Sequence, residues 1–372
     1  MTTATVNAPA EPLRRTAGVA KLRLLTQNMF MRPPPIRTNK SDWKDGRLDF
    51  FIEHILPNYD VVCLQEMFEF ASSRRSRLVA AAEKLGFRYY VLSERKYVWS
   101  LGIDGGLAIL SRLPVDTTDS FEYQRGIGPD WIASKGVLYA KIAVRVEGAR
   151  EPTHVHLFTT HTQASYGEVV VTQPDVKRRL AQLHEFHNFL EEVLPRHRAA
   201  GEPVVLTGDF NVDSRAHKLS DPDSVRHERE VEDGSETSDE GKAMMAVLQG
   251  HGIDPKLLGP DNSDAFKGKK IIEFHDTLKE RLGYHPVTFG NIVVAKDGVV
   301  HPRETVLTNK QDNTVMHSID YVLWHNPGAS GSGITAALHD VGVAPNFTPQ
   351  QPFSQISDHY GVAAELRFSL SS

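Results

Sequence analysis

Residues 203–211 read Pro203-Val204-Val205-Leu206-Thr207-Gly208-Asp209-Phe210-Asn211, a short apolar run that ends on an acid and an amide. An apolar, branched run bounded by proline and glycine is typical of a buried β-strand. The same arrangement occurs in residues 21–28, 59–66 and 155–161, which end on Asn28, Glu66 and His161. The pattern therefore predicts several buried strands, each with a polar side chain at its end.

Two further strands are predicted near the end of the chain. Residues 319–324 contain Asp320, and residues 361–368 directly follow Asp358, His359 and Tyr360. Helical patterns lie between the earlier strands, from Trp43 to Leu56 and from about Val176 to Leu194. Strands that alternate with helices indicate an α/β fold, in which ligands bind where the loops beyond the strand ends meet. The polar residues at the strand ends are therefore expected to form one site.

The composition is that of an ordinary globular protein, with 372 residues, 40% hydrophobic and 24% charged. Residues 21–372 are predicted to form a single domain with insertions near 213–245 and 255–318. The net charge of −5 argues against a protein that wraps a long nucleic acid, because phosphate binding usually leaves a strongly basic surface. The single cysteine, Cys63, excludes an internal disulfide and lies in an apolar run, which predicts a buried, inert thiol.

Residues 1–20 are rich in Ala, Thr and Pro and lack the continuous apolar segment of a secretory signal. They are predicted to be a disordered tail, and the protein is predicted to be cytoplasmic, with secretion as the open alternative. No run approaches the roughly 18 apolar residues that cross a bilayer, so any contact with a membrane is expected to be peripheral.

The predicted site is rich in carboxylate and amide oxygens, and the sequence contains neither a cysteine cluster nor a His-x-x-x-His pair. Such hard ligands favour Mg²⁺, with Mn²⁺ or Co²⁺ as substitutes, over structural zinc. Glu66 is the first-choice ligand, and the sequence leaves open whether one or two ions bind. A divalent ion with Asp and His side chains supplies what phosphate-ester hydrolysis needs: charge neutralisation, an activated water and help for the leaving oxygen.

Six short motifs together resemble the endonuclease/exonuclease/phosphatase superfamily. They are Gln27-Asn28, Gln65-Glu66, Thr160-His161, Gly208-Asp209-Phe210-Asn211, Ile319-Asp320-Tyr321 and Ser357-Asp358-His359. The resemblance spans roughly residues 22–368. It implies a four-layer α/β/β/α sandwich of two mixed β-sheets flanked by helices.

Three other segments are similar to neutral and bacterial sphingomyelinases: residues 104–111, residues 128–142, and His161-Thr162-Gln163-Ala164. This likeness implies an Mg²⁺-dependent phosphoric diester hydrolase, of the phospholipase C type, that acts in lipid metabolism. Its substrate would be a sphingomyelin-like phospholipid or a small glycerophosphodiester of the choline or ethanolamine type. The chain shows neither the signal peptide of the secreted bacterial enzymes nor the hydrophobic segments of the animal ones, which makes a soluble diester a serious alternative.

The resemblance also implies a role for each motif residue. His359 would be the general base, oriented by Asp320, and His161 would donate to the phosphate. Lys135 would lie near the phosphate with Asp130 as its ion-pair partner. The metal ligands would come from Asn28, Glu66, Asp209, Asn211 and Asp358, and Asp209 and Asn211 could instead hold the attacking water. Asp358 has two open interpretations, as a metal ligand or as a residue that fixes its loop.

Other interpretations of the sequence are a DNA or RNA nuclease on the same scaffold and a binding protein that has lost activity. The nuclease is disfavoured because the main basic cluster, Arg74-Arg75-Ser76-Arg77, lies on a predicted helix away from the motifs. The remaining histidines are expected to be structural or exposed: His154 and His156 alternate onto the face opposite His161, and His217 and His317 fall in predicted surface loops.

Overall fold

The computed structural model describes residues 19–371 apart from 38–41, 98–101, 166–172, 218–233, 255–265, 271, 309–314, 327, 329 and 332. Within these ranges, two six-stranded β-sheets form the centre of the protein. In spatial order, the first sheet contains β15 (Ile334–Ala344), β16 (Gly361–Leu370), β1 (Val19–Asn28), β2 (Val61–Gln65), β4 (Ala108–Ser111) and β3 (Tyr89–Leu92). The second contains β5 (Val115–Glu122), β6 (Gly136–Val144), β7 (Thr153–His161), β8 (Val204–Asp209), β14 (Asp320–His325) and β9 (His275–Asp276).

Both sheets are mixed. The pairs β1–β2 and β7–β8 are parallel, and the other neighbours within the two sheets are antiparallel. Two short ribbons stand outside the sheets: β10 (Phe289–Gly290) pairs with β13 (Met316–His317), and β11 (Ile292–Val294) pairs with β12 (Val300–Pro302). The strands predicted from the apolar runs are all present.

Helices cover the outer faces of the two sheets. The first sheet carries α1 (Lys44–Phe50) and α2 (Arg74–Lys84), and the second carries α3 (Pro174–His197) and α4 (Asp239–Leu248). The helix predicted from Trp43 to Leu56 is α1, but the chain continues from it as a π-helical turn over Phe51–Ile55 and a 3-10 turn over Leu56–Asn58. The helix predicted near 176–194 is α3, which starts earlier because Pro174 is well suited to a first helical turn.

Apolar side chains fill three interfaces between these layers. Leu24 and Val205 belong to the core between the sheets. Leu78 packs between the first sheet and its helices, and Leu183 and Met244 pack between the second sheet and its helices. Burying one such side chain stabilises the fold by about 1.5–3 kcal/mol relative to exposure. The predicted four-layer α/β/β/α sandwich is therefore confirmed.

Cys63 lies on β2 in the core between the sheets and is fully buried. Burial raises the pKa of its thiol to about 12. The predicted burial of the thiol is confirmed, and its inertness stays a prediction. None of the helices in the described ranges is long and apolar enough to span a lipid bilayer.

The two predicted insertions contain ordered helices as well as loops. In the first insertion, residues 218–233 lie outside the described residues, and α4 begins at Asp239. A buried pair between Arg179 and Glu240 joins α4 to α3. In the second insertion, α5 (Thr277–Leu282) begins directly after residues 275–276, which pair with β14, and the Asp276 side chain caps the helix. The domain boundaries stay predictions.

Candidate active site

Polar residues from both sheets meet at one edge of the sandwich. His161 ends β7 and Asp209 ends β8, and the two are direct partners in the parallel register. Asp209 is also paired with Asp320 at the start of β14. From the first sheet come Asn28, the last residue of β1, and His359, which lies two residues before β16. The predicted convergence of the strand ends is present in the structure.

His359 and Asp320 form a buried hydrogen-bonded pair that joins the two sheets. Nδ1 of His359 lies 2.9 Å from Oδ2 of Asp320. The other ring nitrogen, Nε2, lies 3.8 Å from Oδ2 of Asp209. Burial by itself lowers the pKa of an imidazole, but the charges of Asp320, Asp209 and Asp358 outweigh it and hold the pKa of His359 well above its usual 6.5. Asp320 thus orients His359, and the charges of the three carboxylates make it a strong base.

Asn28 bridges carboxylates that belong to different sheets. Its amide nitrogen donates to Oδ2 of Asp209 at 2.9 Å and to Oε1 of Glu66 at 3.3 Å. Its amide oxygen accepts the backbone N–H of Phe30 at 2.9 Å. In this orientation Asn28 acts as a donor that positions the two acids. Its predicted role as a metal ligand stays a prediction.

Glu66 is the carboxylate of the site that most needs a cation. It follows β2 with φ of 53°, and among the described residues its Oε2 is buried with no hydrogen-bond partner. Burial, followed by the charge of Asp358, raises the pKa of Glu66 above its usual value. An unpartnered buried carboxylate is costly unless a cation compensates it. Together with the neighbouring carboxylates, this oxygen fits a divalent metal ion that prefers oxygen ligands.

Lys135 supports His161 through a hydrogen bond. Its ammonium nitrogen lies 2.7 Å from Oδ2 of Asp130, 2.6 Å from the carbonyl of Thr162 and 3.1 Å from Nε2 of His161. These contacts use all three N–H bonds of Lys135, so a direct bond from Lys135 to the substrate phosphate stays a prediction. The ion pair predicted with Asp130 is present.

The lysine contact defines the protonation of His161. Because an ammonium group only donates, Nε2 of His161 accepts and the ring proton lies on Nδ1. Nδ1 is buried and has no partner within the described part of the chain. Burial, and then the charge of Lys135, lowers the pKa of His161 to about 3, so the ring is neutral at neutral pH. His161 therefore holds an N–H donor at Nδ1 with no partner among the described residues, while its Nε2 lies 3.5 Å from Oδ2 of Asp209.

Asn211 and Asp358 are held by hydrogen bonds to neighbouring residues. Asn211 has φ of 50°, donates its backbone N–H to Oδ1 of Asp209 at 2.9 Å, and donates its amide nitrogen to the carbonyl of Thr162 at 3.1 Å. Oδ1 of Asp358 accepts the hydroxyl of Ser357 at 3.2 Å. The structure places both residues at the site, and their predicted roles as metal ligands stay predictions.

Arg47 is a supporting residue that the sequence did not indicate. It is fully buried and donates to the carbonyl oxygens of Met29 at 2.8 Å, Phe30 at 2.9 Å and Ile356 at 2.7 Å. These carbonyls belong to the segments that follow Asn28 and precede Asp358. Arg47 therefore fixes two loops of the site at once. A single arginine in an amphipathic helix gives no sequence signal for such a role.

Asp104 organises the loop that follows Glu66. Its carboxylate accepts the backbone N–H groups of Glu69 at 3.0 Å, Phe70 at 2.9 Å and Gly106 at 3.0 Å. Gly106 has φ of +66°, and a Cβ there would come within 3.1 Å of the Glu66 Cα atom. The motif Asp104-Gly105-Gly106 thus serves to place Glu66.

His154 and His156 belong to a different, structural cluster, as predicted. Nδ1 of His154 lies 2.7 Å from Oε1 of Glu202, and Nε2 of His156 lies 2.9 Å from Oε2 of the same carboxylate. His317, by contrast, is not in an exposed surface loop as predicted. It lies in β13, is half-buried, and contacts Asp213 together with His217.

Residues 25–359 match the model of the endonuclease/exonuclease/phosphatase family. The chain belongs to this family. The chain is similar to a sphingomyelinase of Dictyostelium discoideum, with 31% identity over 94% of this chain and 99% of that protein. A sphingomyelinase C of Bacillus cereus is 28% identical, but the match covers only 51% of this chain and 57% of that protein. The predicted family, with its likeness to sphingomyelinases, is confirmed.

The endonuclease/exonuclease/phosphatase fold is also evident from solved structures. A variant of the Staphylococcus aureus beta toxin, with bound magnesium ions, aligns with a TM-score of 0.55 over 95% of this chain and 100% of that one. A sphingomyelinase C from Streptomyces griseocarneus aligns with a TM-score of 0.55 over 93% and 99%. At 19% and 21% identity, these likenesses establish a common fold and nothing finer.

Proposed function

We propose that this family member is a divalent-cation-dependent phosphodiesterase that hydrolyses a sphingomyelin-type phospholipid by attack of water on phosphorus. The observation that carries the reaction class is the pairing of His359 with Asp320 at the same edge as the unpartnered Glu66 oxygen. The substrate class is supported by the likeness to the Dictyostelium sphingomyelinase along nearly the whole of both chains.

His359 has the position of a general base. Asp320 occupies Nδ1 and fixes the ring, which leaves Nε2 to accept a proton from water. The imidazolium that forms is stabilised by the Asp320 carboxylate, in the way a carboxylate supports a catalytic histidine in other hydrolases. The proton can then pass to the leaving alkoxide, which departs as the lipid alcohol.

Glu66 is the principal candidate ligand for the cation, with Asp209, Asn211, Asp358 and Asn28 as the further candidates. A divalent cation held by these oxygens would neutralise the phosphate and would offset the carboxylate charge that raises the pKa of His359. Mg²⁺ suits such ligands, and magnesium ions are bound in the solved beta toxin structure that shares the fold.

His161 is suited to stabilise charge on the phosphate. Its Nδ1 proton has no partner among the described residues, while Lys135 occupies Nε2. A donor that is already oriented costs no reorganisation as negative charge builds up in the transition state. Lys135 then acts as a positioning residue that fixes the ring, and its positive charge contributes at a distance.

The basic cluster on α2 does not support the nuclease alternative. Arg75 is buried and paired with Glu69 and Asp104. Arg74 pairs with Asp45, and so does Arg77. Arginines that are already neutralised by acids contribute little to binding a phosphate backbone.

The test is product analysis with purified protein in Mg²⁺ and in EDTA. The substrates are sphingomyelin in mixed micelles, glycerophosphocholine, glycerophosphoethanolamine, and single-stranded and duplex DNA. The proposal predicts Mg²⁺-dependent release of phosphocholine from sphingomyelin while DNA stays intact. Cleavage of the glycerophosphodiesters alone would keep the reaction class and replace the substrate, and cleavage of DNA alone would overturn the proposal.

Matched variants separate catalysis from folding. Glu66→Gln and His359→Asn should abolish turnover and leave the thermal melt close to that of the wild type. His54→Gln, at an exposed histidine outside these motifs, should keep full activity. If Glu66→Gln or His359→Asn turned over sphingomyelin at the wild-type rate, the assignment of the site would be wrong.

A further inference from the structure

Three potential metal ligands outside the proposed catalytic set converge beside it. Nε2 of His217 lies 2.6 Å from Oδ2 of Asp213, and Nε2 of His317 lies 3.7 Å from the same oxygen. One ligand atom from each residue lies within 4.8 Å of the other two. The cluster unites the segment that follows β8 with β13, which are about 100 residues apart in the sequence.

The backbone aims Asp213 at the two imidazoles. Its Oδ1 accepts the backbone N–H of Ser318 at 2.9 Å and that of Arg215 at 3.1 Å. With Oδ1 engaged by two donors, Oδ2 is the oxygen that faces His217 and His317. Asp213 is buried, whereas the side chains of both histidines are 29% exposed, so the open side of the cluster faces solvent.

We propose that Asp213, His217 and His317 bind a first-row transition metal ion of the Zn²⁺ class, at a site distinct from the oxygen-rich site of Glu66. Two imidazole nitrogens and one carboxylate oxygen suit zinc and its neighbours in the series, whereas Mg²⁺ prefers oxygen ligands throughout. Water on the exposed side would complete the coordination.

The two distances from Oδ2 of Asp213 to the imidazole nitrogens are close to what such an ion requires. Ligand atoms about 2.0–2.2 Å from a tetrahedral zinc lie roughly 3.4 Å from one another. The His317 contact at 3.7 Å is too long for a hydrogen bond and is near this value. The His217 contact at 2.6 Å is a hydrogen bond that must lengthen by less than about 1 Å, a small adjustment for a half-exposed side chain.

The metal would tie together two segments that lead into the catalytic residues. Asp213 lies two residues after Asn211, and His317 lies three residues before Asp320. The ring of Phe289 lies between the clusters, with its centroid 6.1 Å from that of His317 and 4.8 Å from that of His359. Occupancy of the site would therefore restrain the wall against which His359 packs.

Co²⁺ provides a direct test, because its visible absorption is intense in a four-coordinate site and weak in a six-coordinate site of oxygen ligands. The full chain is stripped with EDTA, freed of chelator, and titrated with Co²⁺ in excess Mg²⁺, which saturates the oxygen-rich site. The wild type should bind one equivalent of Co²⁺ with a visible band, and Zn²⁺ should displace it. The melting temperature should rise by several degrees with Zn²⁺, since a ligand that binds only the folded state stabilises it.

Variants assign the ion to these ligands. His217→Gln and His317→Gln should each lose the visible band and the Zn²⁺-dependent rise in melting temperature. The control His54→Gln and the variant Glu66→Gln should keep both. His217→Gln changes a residue outside the strands, whereas His317 lies in β13, so His217→Gln stays informative if His317→Gln fails to fold. A band and a stoichiometry unchanged in His217→Gln, or no saturable Co²⁺ binding by the wild type, would overturn the proposal.

Discussion

Nδ1 of His359 lies 2.9 Å from Oδ2 of Asp320, and through this contact the first sheet supplies the base while the second sheet orients it. Removing the Asp320 charge should therefore act on the chemistry more than on the fold. We expect Asp320→Asn to lower kcat by about 10²–10⁴-fold, as expected when a histidine loses its orienting carboxylate. Steady-state kinetics measure the change in kcat, and a thermal melt measures the change in stability. Asp49→Asn, at an exposed position, is the control.

The same variant should also change the pH profile. The Asp320 charge raises the pKa of His359, so its loss lowers that pKa and the basic form of His359 persists to lower pH. The acidic limb of kcat/KM should consequently move to lower pH in Asp320→Asn. A limb that stays in place or moves to higher pH would show that a group other than His359 governs it.

Lys135→Met tests whether the lysine sets the protonation of His161. Without the ammonium donor, the Nε2-protonated form of His161 becomes available, and we expect kcat to fall about 10–100-fold with a smaller change in KM. The variant also removes the ion pair of the buried Asp130, whose Oδ2 keeps only its weaker partners such as the backbone N–H of Ala164, and this should cost about 3 kcal/mol of stability. The double variant Lys135→Met with Asp130→Asn should recover stability without recovering kcat, and full recovery of kcat would assign Lys135 a purely structural role.

Arg47→Lys tests the link between the two loops that flank the site. Lysine cannot reproduce the planar fork that serves the carbonyls of Met29, Phe30 and Ile356. Leaving buried acceptors without donors should destabilise the protein by about 3 kcal/mol. Urea unfolding measures the loss, and Arg88→Lys is the control substitution. An unchanged unfolding midpoint would contradict this account of Arg47.

Glu202→Gln tests the histidine cluster on the opposite face of β7. Burial would raise the pKa of Glu202, but hydrogen bonds from His154 and His156 outweigh it and depress that pKa below its usual 4.5. A depressed carboxylate pKa stabilises the fold above about pH 4.5, and the contribution is lost as the pH falls below it. Glu202→Gln should lose about 3 kcal/mol at pH 7 and a smaller amount near pH 3. A difference in unfolding free energy that is the same at both pH values would contradict the charge pairing.

Much of the fold follows from the sequence because each of these strands carries two signals in its residues. Runs such as 203–209 combine branched apolar residues with a polar end, and each run forms a strand at the predicted place. The location of the site was predictable for the same reason, because strand ends at one edge of a sheet bring their side chains together. Asp209 and Asp320, far apart in the chain, are direct partners in the sheet register.

What the sequence did not reveal depends on contacts between distant segments. Arg47 reads as an ordinary helical arginine, and only the folded chain shows that it binds the carbonyl of Ile356. Likewise, His217 and His317 carry no recognisable spacing and meet only because β13 lies beside the segment after β8. The orientation of the Asn28 amide depends on which of its neighbours donate and which accept, and a motif does not encode that.

Hydrolysis of sphingomyelin in ¹⁸O-labelled water tests the central claim most directly. Attack of a His359-activated water on phosphorus places one ¹⁸O in phosphocholine and none in the lipid alcohol, and mass spectrometry of both products reads the label. We predict Mg²⁺-dependent release of singly labelled phosphocholine by the wild type and none by His359→Asn. Label in the lipid alcohol, or no Mg²⁺-dependent release of phosphocholine, would contradict the account.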